Sequence, residues 1–203
     1  MIYHTTCRHS LLVLCLLALF SLEGCATNTK QIFLRYDPIT TLRSEGGNLY
    51  LVNTEPQPPS ASGLWMIGNT KSSDNQIIGN LWSGLSPASL VQNALDRELE
   101  RTGYKVIPQK KTPDPAAMVV EISTAAIDIE QTSKLSRIDA DCTITVSLTI
   151  KKSGAPVRTL YYEAKGSDLA IKNRDQLAET MLRITMQDVM RQAIPDIVKH
   201  LAQ

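Results

Sequence analysis

The sequence predicts an α+β fold, a mainly antiparallel sheet with two helices packed on one face. Three observations predict it. Cys142, Ile144, Val146, Leu148 and Ile150 alternate with Thr143, Thr145, Ser147 and Thr149, the period-two pattern of a strand with one dry face. Residues 86–107 read as a helix, a glycine turn and a strand. Leu182, Met186, Val189, Ala193, Ile197 and Leu201 form one apolar stripe at helical spacing.

The elements follow in order. "IFLRY" at 32–36 is strand-like and stops at Asp37-Pro38. "NLYLVN" is a second strand, bracketed by Gly46-Gly47 and Asn53. The Pro- and Ser-rich run from Glu55 to Gly63 is a loop, because proline neither donates in a central strand nor continues a helix. "LWMIGNT" and "QIIGNLW" flank "KSSDN" and predict a hairpin. Ser86-Pro87 starts a helix, with Ser as N-cap and Pro at the first helical position. Gly103 closes it and "YKVI" follows as a strand.

"MVVEISTAAIDIE" is a strand whose apolar phase slips between Ile122 and Ile127. A bulge near Ala125-Ala126 restores the facing. The alternating strand, a "KKSGAP" turn and "RTLYYEAKG" complete a meander. Asn173 and Gln176 are placed to cap the last helix. Met181, Ile184, Met190, Ile194 and Val198 widen its stripe, and Pro195 is expected to kink or break it.

The first residues concern address rather than fold. The apolar run Leu11–Phe20 is too short for a bilayer span, which needs roughly 20 residues. Arg8 and the amino terminus precede it and small residues follow it, as in a secretory signal. Leu22-Glu23-Gly24-Cys25 resembles the lipobox of bacterial lipoproteins. Glu23 stands where that family usually carries a small or apolar residue. The resemblance implies a signal peptide over 1–24, cleavage before Cys25, and acyl chains (palmitate among them) on that cysteine. Several acyl chains anchor stably where one is marginal. Ala26 rather than Asp follows Cys25, which by the sorting rule of that family implies the outer membrane, facing the periplasm. An ordinary signal peptide with an incidental cysteine is the competing reading. Residues 25–31 then form a polar tether, and 32–203 a single domain.

From the lipobox through "LVQNALDRELERTGYKV", "MVVEIS", "ADCTITVSLTI" and "YYEAKG" to the C-terminal helix, the chain resembles the YajG-type envelope lipoproteins. That resemblance implies a lipid-bearing Cys25 and transfers no active site.

Composition excludes more than it assigns. The chain has 21 basic and 20 acidic residues, a net charge of +1, which gives no argument for a nucleic-acid partner. Cys7 and Cys15 leave with the signal and Cys25 carries lipid, so Cys142 has no disulfide partner within the chain. No G-x-S-x-G elbow or phosphate loop is present. His200 is the one histidine after the signal. With Cys142 it makes no zinc set, which takes three or four ligands. The expected cofactor and metal complement is none. Asp128 with Glu130, and Asp139 with Asp141, invite a glycosidase reading because paired carboxylates perform that chemistry. Their phase on the wet side of a sheet favours solubility instead. Cys142, in phase with Ile144, is expected to be buried and inert.

Trp65 and Trp82 flank the hairpin. They offer either a partner-binding platform or core filling, since Trp is enriched at interface hot spots. The sequence thus points to a non-catalytic, lipid-anchored binding module of the envelope, its partner a protein or glycan. The alternatives are an accessory subunit of a transport or outer-membrane assembly machine and, third, a cell-wall hydrolase. Oligomeric state is open.

Overall fold

The computed structural model describes residues 28–54, 62–111, 117–173 and 176–202. The signal, the lipobox and most of the Pro-rich loop lie outside the described residues. Eight strands and two helices follow one another as β1 (Asn28–Gln31), β2 (Gly47–Asn53), β3 (Trp65–Lys71), β4 (Ile77–Ser83), α1 (Pro87–Thr102), β5 (Tyr104–Gln109), β6 (Met118–Ser133), β7 (Ile138–Lys152), β8 (Ala155–Ala170) and α2 (Leu177–Ala202).

The sheet is mixed, not mainly antiparallel, and it curls as a half-barrel. Four pairings are parallel: β1 with β4, β2 with β5, β2 with β6, and β3 with β6. Among the described residues only the β3–β4 hairpin and the β6–β7–β8 meander are antiparallel. The expectation failed because apolar alternation reports which face a side chain takes and is silent on strand direction.

The long strand β6 explains the architecture. One edge pairs with β7 from Met118 to Ser133. The other edge is shared: Met118–Ile122 take β2, and Ile129–Thr132 take β3. β6 therefore joins two wings. The bulge falls between Ile122 and Thr124, slightly before the expected Ala125-Ala126. It returns Ile127 and Ile129 to the core side.

α1 follows its sequence signals. The Ser86 hydroxyl accepts from Ser89 N–H at 3.0 Å, Pro87 fills the first turn, and Gly103 takes the left-handed cap conformation at φ 113°. α2 runs through Pro195 without a break. Pro195 sits on the exposed side, where solvent can take the carbonyl that proline cannot bond. Ala193, Ile194, Ile197 and Leu201 stay buried around it. Ile184 is exposed rather than part of the stripe. Both helices share one apolar core with the sheet, including Leu95, Leu99, Ile144, Leu148, Met186 and Val189.

Residues 32–46 are the second correction. "IFLRY" is not a strand; the strand is Asn28–Gln31, just before it. Residues 32–46 cross the two helices as an extended strap, with Ile32 and Tyr36 buried. Ile32 N–H bonds Trp82 O of β4 and Ser44 N–H bonds Thr102 O of α1; between them side chains supply partners for the strap backbone, which meets the same demand.

Candidate functional site

The strap is held by Glu98 of α1, which is fully buried. Its carboxylate accepts from Tyr36 Oη, from Ile39 N–H at 2.7 Å and from Thr40 N–H at 2.9 Å. Burial, and then the adjacent Glu98 carboxylate, hold the Tyr36 phenol far above its ordinary pKa. Arg97 donates to Tyr36 O at 2.5 Å and Arg101 to Pro38 O at 2.7 Å. Gln187 of α2 donates to Asp37 O at 3.0 Å. A cleft of about 330 Å³ opens beside the strap, bounded by Thr40, Leu42, Glu98, Arg191 and Pro195. Every Glu98 oxygen is already engaged by the strap, so this carboxylate is a clamp rather than a free acid. Sequence reading missed it. Its signal was a glutamate in the buried phase of Val91, Ala94, Leu95 and Thr102.

The acidic pairs are not gathered into a catalytic arrangement. Glu130 and Asp141 are cross-strand neighbours on the outer face. Lys71 pairs with Glu130 at 2.5 Å, and the Ser167 hydroxyl donates to Asp141 at 2.5 Å. Asp139 is flanked by Lys134 and by Arg137 at 2.8 Å. The Lys134 hydrogen bond, more than the Arg137 charge, holds its carboxyl below the usual range. Asp128 is exposed. Among the described residues no three His, Cys, Asp or Glu side chains converge as metal ligands. His200 is half-buried in the last turn of α2.

Cys142 is buried on β7 and faces Thr185 of α2. Burial pushes its thiol from 9.0 up to about 11. A raised folded pKa stabilises fully below the ordinary value and is lost as pH rises through the folded one. The urea midpoint is therefore expected to fall between pH 9 and 11, with the raised Tyr36 and Tyr162 phenols extending the loss upward. Cys142→Ala should remove the earliest part of the decline. A maleimide should label Cys142 at pH 8 only after unfolding; rapid native labelling would contradict its burial.

The hairpin separates its two tryptophans. Trp65 lies opposite Ser83 and Met66 opposite Trp82. Successive residues of a strand point to opposite faces, so the indoles do not share a platform. Trp65 packs against the core. Trp82 lies on the outer face beside Met66, which is 60% exposed, and exposed Ile78 is four residues away on the same strand. Trp82 Nε1 is buried without a hydrogen-bond partner among the described residues, and so is Asn69 Oδ1 on the same face of β3. An unsatisfied buried donor and acceptor each cost about 1–3 kcal/mol unless something supplies the missing bond. The candidate partner surface is thus Met66, Ile78 and Trp82 with Asn69, and Trp65 supports it from behind.

No family model and no curated protein matches the chain. A solved Xanthomonas campestris protein of the DUF330 family matches with a TM-score of 0.50 at 10% identity, covering 87% of this chain and 98% of that one. The likeness is one of fold. A minor lipoprotein from Acinetobacter baumannii also matches at 12% identity over 76% of this chain and 92% of that one, with a TM-score of 0.41. The rare lipoprotein B from Shewanella oneidensis matches at 13% identity, covering 66% and 92%, with a TM-score of 0.31. Among the described residues no helix is long and apolar enough to cross a membrane.

Proposed function

We propose that this chain is a lipid-anchored periplasmic lipoprotein of the bacterial outer membrane and a non-catalytic binding module of the envelope. One observation carries the reading: Leu22-Glu23-Gly24-Cys25 stands three residues before the chain enters β1 at Asn28. Cleavage before Cys25 leaves a modifiable cysteine directly beside a folded domain. Acyl chains on Cys25 supply the membrane affinity that no helix of the described residues supplies. The YajG-type pattern of the sequence belongs with this reading.

The partner, an envelope protein or glycan, binds the outer face of the β3–β4 hairpin. Met66, Ile78 and Trp82 give apolar area there. A photocrosslinker at Met66 in intact cells is expected to trap one discrete envelope species. Trp82→Ala should reduce that product several-fold, and Cys25→Ser should abolish it by removing the chain from the membrane. A product that persists unchanged in both variants, or no product at all, contradicts the reading.

A further inference from the structure

The sheet register places one set of exposed aliphatic side chains along a single rim. Ile77 of β4 pairs with Lys71 of β3, Lys71 with Thr132 of β6, Thr132 with Asp139 of β7, and Asp139 with Leu169 of β8. These five residues form one row across five strands, about 19 Å wide at the usual interstrand spacing. At or just beyond that row stand Ile77 (64% exposed), Leu135 of the β6–β7 turn, Leu169, and Ile171 (66% exposed) just after β8. Lys71, Thr132 and Asp139 separate Ile77 from Leu169 within the row; single exposed aliphatics are ordinary, but several gathered at one rim call for an occupant.

The same rim is where the chain enters the fold. Asn28 pairs with Gly79, two residues along β4 from Ile77. Cys25 lies three residues earlier, and three residues reach at most about 11 Å. The rim's charges are mixed in sign: Lys71 pairs with Glu130, Lys134 and Arg137 share the one carboxylate of Asp139, and Asp74, Asp168 and Lys172 stand at the same end. The rim therefore offers apolar insertion rather than an attraction to anionic headgroups. We propose that it is a membrane-docking edge: Ile77, Leu135, Leu169 and Ile171 dip into the bilayer interface beside the acyl chains of Cys25. The inference rests on the lipid-anchor reading. It gives the domain a fixed orientation. β6–β8 run from the rim away from the bilayer, and the Ser153-Gly154 turn lies at most about 45 Å from the rim at the usual rise per residue.

The test uses the full lipidated chain with Cys142→Ala in vesicles of phosphatidylethanolamine and phosphatidylglycerol carrying bromine on their acyl chains. An environment-sensitive dye is placed through Ile77→Cys, Leu135→Cys or Ser153→Cys. The rim positions should be quenched about twofold by the shallow insertion typical of interfacial contacts, and position 153 not at all. Ile171→Asp combined with Leu169→Asp should relieve quenching at 135 while the protein still floats with the vesicles. Equal, absent quenching at all three positions in a protein that floats overturns the docking edge and leaves the anchor intact. Emission at the rim that follows protein density regardless of bromine assigns the rim to a second copy and also overturns it. A chain that does not float overturns both readings.

Discussion

Gly68→Ala should destabilise the fold by at least about 3 kcal/mol, because overpacking against backbone cannot be relieved by a rotamer change. In a domain of this size that lowers the melting temperature by about 6–12 °C. A Cβ at Gly68 would stand 2.0 Å from Ile129 O and 2.8 Å from Ile129 N. Both are main-chain atoms of β6, and Gly68 pairs directly with Ile129 where β3 joins β6. Relief therefore requires β3 to move off the strand that joins the two wings. Gly84→Ala is the matched control. Its added Cβ meets only the end of the Gln31 side chain, at 3.3 Å, and should cost less than about 0.5 kcal/mol, as surface changes usually do. Equal melting temperatures for the two variants would contradict the close approach.

Glu98→Ala should cost about 3 kcal/mol, the scale of losing hydrogen bonds to a charged acceptor and leaving their donors buried. Tyr36 Oη and the N–H groups of Ile39 and Thr40 all lose their acceptor. The loss should be local first. Amide exchange over 36–46 should accelerate more than exchange in β7, since the strap has no ladder to fall back on. Glu98→Gln keeps the shape but turns an amide nitrogen toward one of the donors, so it should lie between alanine and wild type. Tyr36→Phe removes one bond and should be milder than either. Uniform acceleration across the molecule would mean that Glu98 supports the core rather than the strap.

The sequence made local chemistry legible and left long-range pairing hidden. Ser86, Pro87 and Gly103 marked α1 because caps act within one turn. The alternation of 142–150 marked β7 and its buried face, since a two-residue period is a local property. Strand direction is different. Nothing in "NLYLVN" or "YKVI" says that they pair side by side in parallel. That choice belongs to the way β6 divides its edge between β2 and β3. "IFLRY" carries strand-forming residues, yet the Glu98 carboxylate and arginine side chains claim backbone groups of that segment and its continuation. Trp65 and Trp82 both fall in the strands of the hairpin, but whether they share a face depends on register, which sequence spacing does not give. Glu98 was visible only as a charged residue in a buried phase, and its partner 62 positions away was not.

The cysteine before the fold bears the central claim, that this domain is held at a membrane by lipid three residues from its first strand. Cells fed a labelled palmitate analogue should incorporate it into the wild-type chain, which should sediment with outer-membrane fractions. Cys25→Ser should incorporate none and leave those fractions. Equal labelling of both chains, or an unlabelled wild type that is soluble in the periplasm, would contradict the account.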